Sequence, residues 1–198
     1  MASPDPMNLL PSCTDFKRRD LLKVAAGLLS SAPFTISRAA NAGPAVHGFD
    51  FLFGRWTVTH RKLRERLAGS IDWYTFPGTL EAAPILGGQG NFDFNVLNDP
   101  HGPYEAHSLR LFDAGAQRWS IYWLDSRAPS VEAPVVGRFE GRKGEFFVEE
   151  TFRGQPVRVR TTYESLDSER AHWTQAFSAD RGSTWEVNWT MDFRKEPA

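Results

Sequence analysis

The 198-residue chain has a single cysteine, Cys13, and it lies near the N-terminus. A domain that follows it can form neither a disulfide nor a cysteine-based metal site, so its stability must come from packing. The chain also lacks an excess of positive or negative charge, because it has 23 basic and 24 acidic residues and a net charge of −1. We therefore expect neither a nucleic-acid nor an anionic-lipid partner. Nothing in the sequence indicates an oligomeric state.

Recognisable catalytic motifs are absent as well. The chain contains no Gly-x-Ser-x-Gly elbow and no phosphate-binding loop. Gly87-Gly-Gln-Gly90 opens into a strand instead of a helix, which predicts a tight turn. His101, Glu105 and His107 are the one cluster with metal-ligand residue types. Because residues 99–103 read as a turn, we interpret these histidines as belonging to a barrel rim and predict no metal site.

Long hydrophobic runs are lacking, but one short run is typical of an export signal. Leu21–Ala32 spans about 12 residues, whereas a membrane helix needs about 20. The run follows Arg18 and Arg19 and precedes the small-residue sequence Ala40-Asn41-Ala42. A basic pair, a short apolar segment and a small-residue cleavage site together predict a twin-arginine signal peptide.

This signal defines the expected domain organisation. Residues 1–42 would be the signal peptide, and residues 43–198 would be one domain of ordinary size without a membrane span. The domain is then expected in the periplasm or outside the cell. An uncleaved membrane anchor is the alternative.

The domain is rich in aromatic residues and in short segments of alternating polarity. The chain has 7 Trp, 4 Tyr and 15 Phe, and turn-forming residues separate its segments. Connections this short suit antiparallel neighbours, and closure into a barrel would remove the exposed edges. We therefore predict an all-β fold, a single antiparallel up-and-down β-barrel of about ten strands, with a β-sandwich as the alternative. The predicted strands are Arg55–Leu63, Ser70–Ala82, Gln89–Leu97, Tyr104–Phe112, Trp119–Asp125, Val135–Glu140, Glu145–Phe152, Val157–Glu164, Ala171–Ser178 and Thr184–Arg194.

Alternation also predicts which side chains face the barrel interior. The expected inward apolar residues are Trp56, Val58, Leu109, Leu111, Trp119, Ile121, Trp123, Phe146, Val148, Phe152, Val157, Val159, Trp173, Phe177, Trp185, Val187, Trp189, Met191 and Phe193. The same parity turns several polar side chains inward, namely His60, Glu105, His107, Asp125, Glu150 and Gln175. A buried polar group needs a partner, water or a ligand, so these side chains either orient a bound molecule or lie at the barrel ends.

Several segments of the chain resemble a known family. They are Asp50–Trp56, Leu86–Asn91, Trp119–Arg127, Pro134–Phe139 and Trp185–Trp189. In these segments the chain resembles uncharacterised, secreted bacterial lipocalin-like (calycin) barrels, which are distantly similar to nitrobindin-type haem barrels. The resemblance implies an up-and-down barrel around an apolar cavity.

Two further implications concern single residues. The Phe-Leu-x-Gly-x-Trp signature implies structural roles for Gly54 and for Trp56, whose ring would close the barrel base against a later arginine. Nitrobindin-like barrels hold haem through a histidine in a C-terminal strand. Gln175 and Trp189 occupy the inward C-terminal positions here, so we predict no cofactor, although His107 would be the best-placed histidine for a haem.

Three functions are compatible with these features. The first is a periplasmic or secreted carrier or sensor of a small, largely apolar molecule. Its walls would be Trp123, Phe177 and Trp189, and its polar contacts Asp125, Glu150 and Gln175. The second is a cofactor-free isomerase or hydrolase with Glu150 or His107 as general acid/base. The third is a module that meets an envelope protein through its rim loops.

Overall fold

The computed structural model describes residues 44–197, which form a closed barrel of ten antiparallel strands. Each strand pairs with its sequence neighbours, and the first strand also pairs with the last. The predicted up-and-down barrel is therefore confirmed, and the sandwich is excluded. The predicted signal peptide lies outside the described residues. The strands are β1 (Gly54–Leu63), β2 (Trp73–Ile85), β3 (Gly90–Leu97), β4 (Tyr104–Asp113), β5 (Arg118–Asp125), β6 (Val135–Glu140), β7 (Lys143–Phe152), β8 (Gln155–Ser165), β9 (Arg170–Ser178) and β10 (Glu186–Lys195).

The barrel has one closed end, which we call the base. Short 3₁₀ segments at Pro44–His47 and Asp50–Leu52 bring the fully buried Phe49 across it. The Phe49 ring lies 5.0 Å from the rings of both Trp119 and Tyr163. Edge-to-face contacts of this kind add to the large area that each ring buries. The base is thus filled by side chains. No helix among residues 44–197 is long and apolar enough to cross a membrane.

The signature residues Gly54 and Trp56 lie at this base. Gly54 has φ +103°, a conformation that favours glycine. Trp56 is buried and donates a hydrogen bond from Nε1 to the Leu52 carbonyl oxygen, 2.8 Å away. The cation over its ring is Lys195, with Nζ 5.3 Å from the ring centroid. At this position the chain therefore has a lysine where the resemblance implied an arginine.

Two strands depart from the predicted inward faces. In β4 the interior side chains include Ser108 and Arg110, while Leu109 and Leu111 lie on the outer face. The prediction was wrong there because it assigned the apolar face to the interior, whereas this part of the lumen is polar.

In β10 the error has a different cause. The register shifts between Val187 and Trp189, so a β-bulge interrupts the alternation. Val187 is 38% exposed, and Trp185 lies outside the strand, against Arg160 on the outer face. Beyond the bulge, Trp189, Met191 and Phe193 are buried as predicted.

One junction in the wall is short. Strands β5 and β6 share three residue pairs, from Trp119 with Gly137 to Ile121 with Val135. Residues 122–125 of β5 extend past β6 towards the open end of the barrel, which we call the mouth. At the next junction Gly137 lies against β7, opposite Phe146. A β-carbon at Gly137 would overlap the Glu145 carbonyl oxygen.

Replacement of Gly137 tests how tightly this wall is packed. Gly137→Ala should lower the free energy of unfolding by about 2 kcal/mol or more, because rigid backbone atoms stand where the methyl group must go. Urea denaturation measures the change. The matched control is Gly115→Ala, whose new methyl group would meet the Asp113 carboxylate at 3.3 Å in an exposed turn. Equal stability of the two variants would contradict the described β6–β7 contact.

Candidate functional site

A cavity of about 440 Å³ occupies the lumen between the filled base and the mouth. This volume lies within the range of small-molecule sites. Its lining changes along the barrel axis, from polar groups near the base, through aromatic rings, to charged groups at the mouth. The cavity is thus a pocket with one polar end, one charged end and an aromatic middle.

The floor is a buried ion pair between Arg110 of β4 and Asp93 of β3. Arg110 also donates from Nη1 to the Asn91 side-chain oxygen at 2.9 Å, and the Ser108 backbone N–H donates to Asp93 Oδ1 at 2.7 Å. Asn95 Nδ2 donates to the same carboxylate. Burial of charge is costly unless hydrogen bonds and a counter-charge offset it. Here the Asp93 carboxylate and these hydrogen bonds do so, although Arg110 Nε has no partner among the described residues.

Three indole rings form the aromatic middle. The ring of Trp189 lies edge-on to Trp173 at 5.2 Å and edge-on to Trp123 at 6.0 Å. All three rings line the cavity. Trp123, on the part of β5 that extends past β6, is also partly exposed to solvent. The rings offer flat apolar surfaces to a molecule that enters from the mouth.

His60 of β1 supports this aromatic wall from behind. Its Nδ1 accepts a hydrogen bond from Trp189 Nε1 at 3.3 Å, and its ring stacks on Phe76 at 4.7 Å. Burial, and secondly the charge of Lys62, lower the pKa of His60 to about 3. The imidazole is therefore neutral at physiological pH and can serve as the acceptor. Gly78 leaves room for it, since a β-carbon there would lie 2.5 Å from His60 Nε2.

Lys62, two residues further along β1, brings an amine into the cavity. Its Nζ lies 3.0 Å from the Tyr104 hydroxyl, 3.3 Å from Asp99 Oδ2 and 4.0 Å from the Trp189 ring centroid. Asp99 also accepts hydrogen bonds from the Tyr74 hydroxyl at 3.3 Å and the His101 backbone N–H at 3.0 Å. The amine is thus held at a fixed point where the aromatic wall meets the charged mouth.

Charged side chains surround the mouth. Arg127 makes a bidentate ion pair with Asp125, with Nε 2.9 Å from Oδ1 and Nη2 2.6 Å from Oδ2. Its guanidinium carbon lies 3.5 Å from the Tyr104 ring centroid. Glu132 and Glu150 approach the cavity from the other side. Burial, and secondly the charge of Glu132, raise the pKa of Glu150. The mouth therefore holds both fixed cations and a carboxylate that protonates more readily than usual.

Several buried polar atoms lack a hydrogen-bond partner among the described residues, and two of them belong to neighbouring strands of the cavity wall. These two are Thr161 Oγ1 of β8 and Gln175 Oε1 of β9, which face each other across paired strands. Both residues line the cavity. A buried acceptor without a partner costs about 1–3 kcal/mol, and a bound molecule with a donor would remove that cost.

The structure brings together four of the six residues predicted to bind a ligand. Trp123, Glu150, Gln175 and Trp189 line the cavity. Asp125 instead holds Arg127 in place at the mouth. Phe177 packs in a separate apolar cluster with Val157 and Val159.

The other acid/base candidate, His107, lies on the outer face, and the inward orientation predicted for it was wrong. Its ring stacks on Phe92 at 5.4 Å and meets Phe94 edge-on at 5.0 Å. The cause is the inverted polarity of β4, which directs Arg110 inward and every odd-numbered residue outward.

Several polar residues of the site were missed, and Lys62, Arg110 and Asp99 show why. Lys62 has the same parity as the predicted inward His60, so alternation could have identified it. Arg110 was missed because its face of β4 was taken as external. Asp99 lies in a loop, where alternation carries no information.

Two histidines lie near the lumen. His60 is buried, with its ring packed on Phe76 and its Nδ1 bonded to Trp189. His101 lines the mouth and bonds to Asp99 through Nδ1 at 3.0 Å. The inward positions of β9 and β10 that the resemblance made relevant to haem carry Gln175 and Trp189, which pair with each other. The described part of the chain brings together no group of three or more side chains able to ligate a metal.

Comparison with known proteins leaves the classification at the level of the fold. No known family matches this chain, and no curated protein shows significant similarity to it. The fold and the cavity define the protein as a closed, ten-stranded antiparallel β-barrel compatible with a calycin-like fold. The buried aromatic cluster of this barrel is compatible with ligand binding.

The neutral His60 predicts an acid-sensitive fold. Because the unfolded chain binds a proton at the ordinary pKa of 6.5 and the folded chain only at about 3, stability is complete above pH 6.5 and falls below it. Between pH 7 and pH 5 the loss from this group should be about 2 kcal/mol. His60→Phe keeps a ring on Phe76 and should abolish most of that loss in urea denaturation at the two pH values. An unchanged loss in the variant would rule out His60 as its source.

Proposed function

We propose that this protein is a periplasmic or secreted carrier or sensor that binds a small, largely apolar molecule in the barrel lumen. The observation that carries the proposal is the cavity of about 440 Å³, open at the mouth and lined by Trp123, Trp173 and Trp189. The ligand would place flat apolar groups against the indole rings. A donor group at its inner end would meet Gln175 Oε1 and Thr161 Oγ1. The resemblance to secreted lipocalin-like barrels supports the same function.

Native mass spectrometry of the protein purified from its own host tests the proposal directly. A small molecule that remains bound, at one copy per chain, would identify the ligand class. The neutral probe 2-naphthalenemethanol provides a second test, since its fused rings suit the aromatic wall and its hydroxyl can donate to Gln175. Calorimetric titration should show binding at one site.

The indole rings supply a matched pair of variants for that titration. Trp123→Ala removes a ring that lines the cavity, and we expect affinity for 2-naphthalenemethanol to fall about tenfold. Trp185→Ala removes the same kind of ring from the outer face, where it contacts Arg160 and Phe147, and should leave affinity unchanged. If both variants bind as the unmodified protein does, the lumen is not the binding site.

The proposed location depends on Arg18 and Arg19. Replacing both with lysine should stop twin-arginine export, so that uncleaved precursor accumulates in the cytoplasm of a bacterial host. Cell fractionation and intact mass measure the outcome. Arg38→Lys, a change of the same kind elsewhere in the segment, is the control. Normal export of the double variant would refute the proposed signal.

Acid–base catalysis is a second candidate, favoured by one observation. Glu150 lines a solvent-reachable cavity beside a second carboxylate, Glu132, and has a raised pKa. A carboxyl group with a raised pKa can serve as a general acid or base towards a bound molecule. Its signature would be turnover that Glu150→Gln abolishes while ligand binding persists.

An interaction module is a third candidate, favoured by the outer face. Phe94 is 60% exposed and Val96 41% exposed on β3, and Leu109 continues the apolar strip onto β4. Exposed apolar strips of this kind often mark contact with another protein. In that case Phe94→Ser should abolish binding of the partner protein, whereas Trp123→Ala should leave that binding unchanged.

A further inference from the structure

The amine of Lys62 has no part in the proposed binding of an apolar molecule, yet it projects into the same cavity. The described residues contain two other lysines, Lys143 and Lys195, and both are exposed at the surface. Lys62 has only 5% of its side chain exposed and lines the cavity. Its amine is therefore presented to whatever occupies the lumen, and to little else.

The surroundings of this amine suit it to nucleophilic chemistry. Burial, as the largest cause, lowers the pKa of Lys62 to about 8; Asp99 opposes the shift, and Arg127 and Arg66 add to it. A useful share of the amine is thus neutral near physiological pH, and a neutral amine attacks carbonyl carbon. The other titratable group on the same face of β1 is His60, which is neutral.

A counter-ion and a proton donor stand within reach of the nitrogen. Asp99 Oδ2 lies 3.3 Å away and the Tyr104 hydroxyl 3.0 Å away. Burial opposes the charge of Asp99, but hydrogen bonds from His101 and the charge of Lys62 lower its pKa overall. Burial, despite the opposing charge of Arg127, raises the pKa of Tyr104. Asp99 therefore stays ionised and Tyr104 stays protonated.

We infer that the cavity captures an aldehyde, with its apolar body among the indole rings and its carbonyl carbon bonded to Lys62 Nζ as an imine. This inference rests on the proposed ligand-binding function and specifies the chemical class of the ligand. The protonated imine occupies the place of the lysine ammonium, between Asp99 and the face of Trp189.

The reaction needs no oxidant, reductant or cofactor. The neutral amine attacks the carbonyl carbon, and a proton moves from nitrogen to the carbonyl oxygen to give a carbinolamine. The C–O bond then breaks, and the oxygen leaves as water after taking one more proton from the Tyr104 hydroxyl. The proton that the lysine ammonium released to become the neutral amine returns through solvent to Tyr104. Nitrogen keeps one proton and forms the double bond. In sum, one lysine ammonium and one aldehyde give one protonated imine and one water.

Reductive trapping tests the inference. The full chain is incubated with 2-naphthaldehyde and sodium cyanoborohydride near neutral pH, which fixes an imine as a secondary amine. Intact mass should show one added naphthylmethyl group, and peptide mapping should place it on Lys62. Labelling of Lys62 should exceed that of Lys143 and Lys195 about tenfold or more, since ordinary lysine has a pKa of about 10.4.

Internal controls separate reactivity from capture. An α-amine in a model peptide has a pKa of about 8, so labelling of Lys62 above that of the chain's α-amine shows that the lumen concentrates the aldehyde. Lys62→Met should lose the adduct, and Lys143→Met should keep it. Circular dichroism of Lys62→Met checks that the variant is folded. If it is not, the distribution of label in the unmodified protein decides alone.

The outcome also distinguishes this inference from the proposed function. 2-Naphthalenemethanol has the same rings but cannot form an imine. Binding of the alcohol without an adduct on Lys62 would overturn the inference and leave the carrier function intact. Failure of both compounds to bind would count against both. Labelling spread evenly over the lysines and the α-amine would also overturn the inference.

Discussion

Closure of ten strands is the constraint on which the rest of this structure depends. An eight-stranded barrel is just wide enough for its own side chains to fill, and diameter grows with strand number. Ten strands enclose more space than the inward side chains occupy. The chain fills one end with Phe49 and its aromatic neighbours. The remaining lumen becomes the cavity, so the site is a direct consequence of strand number.

The polar groups inside this lumen follow from the same constraint. A closed barrel sends every second side chain inward, and β3 and β4 send Asp93 and Arg110. These two groups form an ion pair and make up a floor between the filled base and the open cavity. Above it, Lys62 and Asp99 form a second pair, but their atoms remain in contact with the cavity. One buried pair therefore closes the lumen, whereas the other faces whatever enters it.

Turn residues and alternation were enough to predict the fold, because short connections leave antiparallel neighbours as the natural arrangement. They also identified Trp123, Gln175 and Trp189 as cavity residues. The predicted inward faces were wrong where the apolar face of a strand is not the face that is buried. Arg110 and Ser108 point inward, while Leu109 and His107 cover the outside, so the apolar face of β4 is not its buried face. The bulge at Val187 could not be predicted either, because it depends on pairing with β9. Asp99 comes from a loop whose course only the tertiary structure reveals.

The short junction between β5 and β6 has a consequence for how a ligand would enter and leave the cavity. Three residue pairs join these strands, fewer than at any other junction of the barrel. Separating them breaks the fewest backbone hydrogen bonds, and local opening favours such places. Trp123 lies directly beside this junction. We therefore expect the dissociation rate of a bound ligand to depend on transient separation of β5 from β6, rather than on movement of the loops around the mouth.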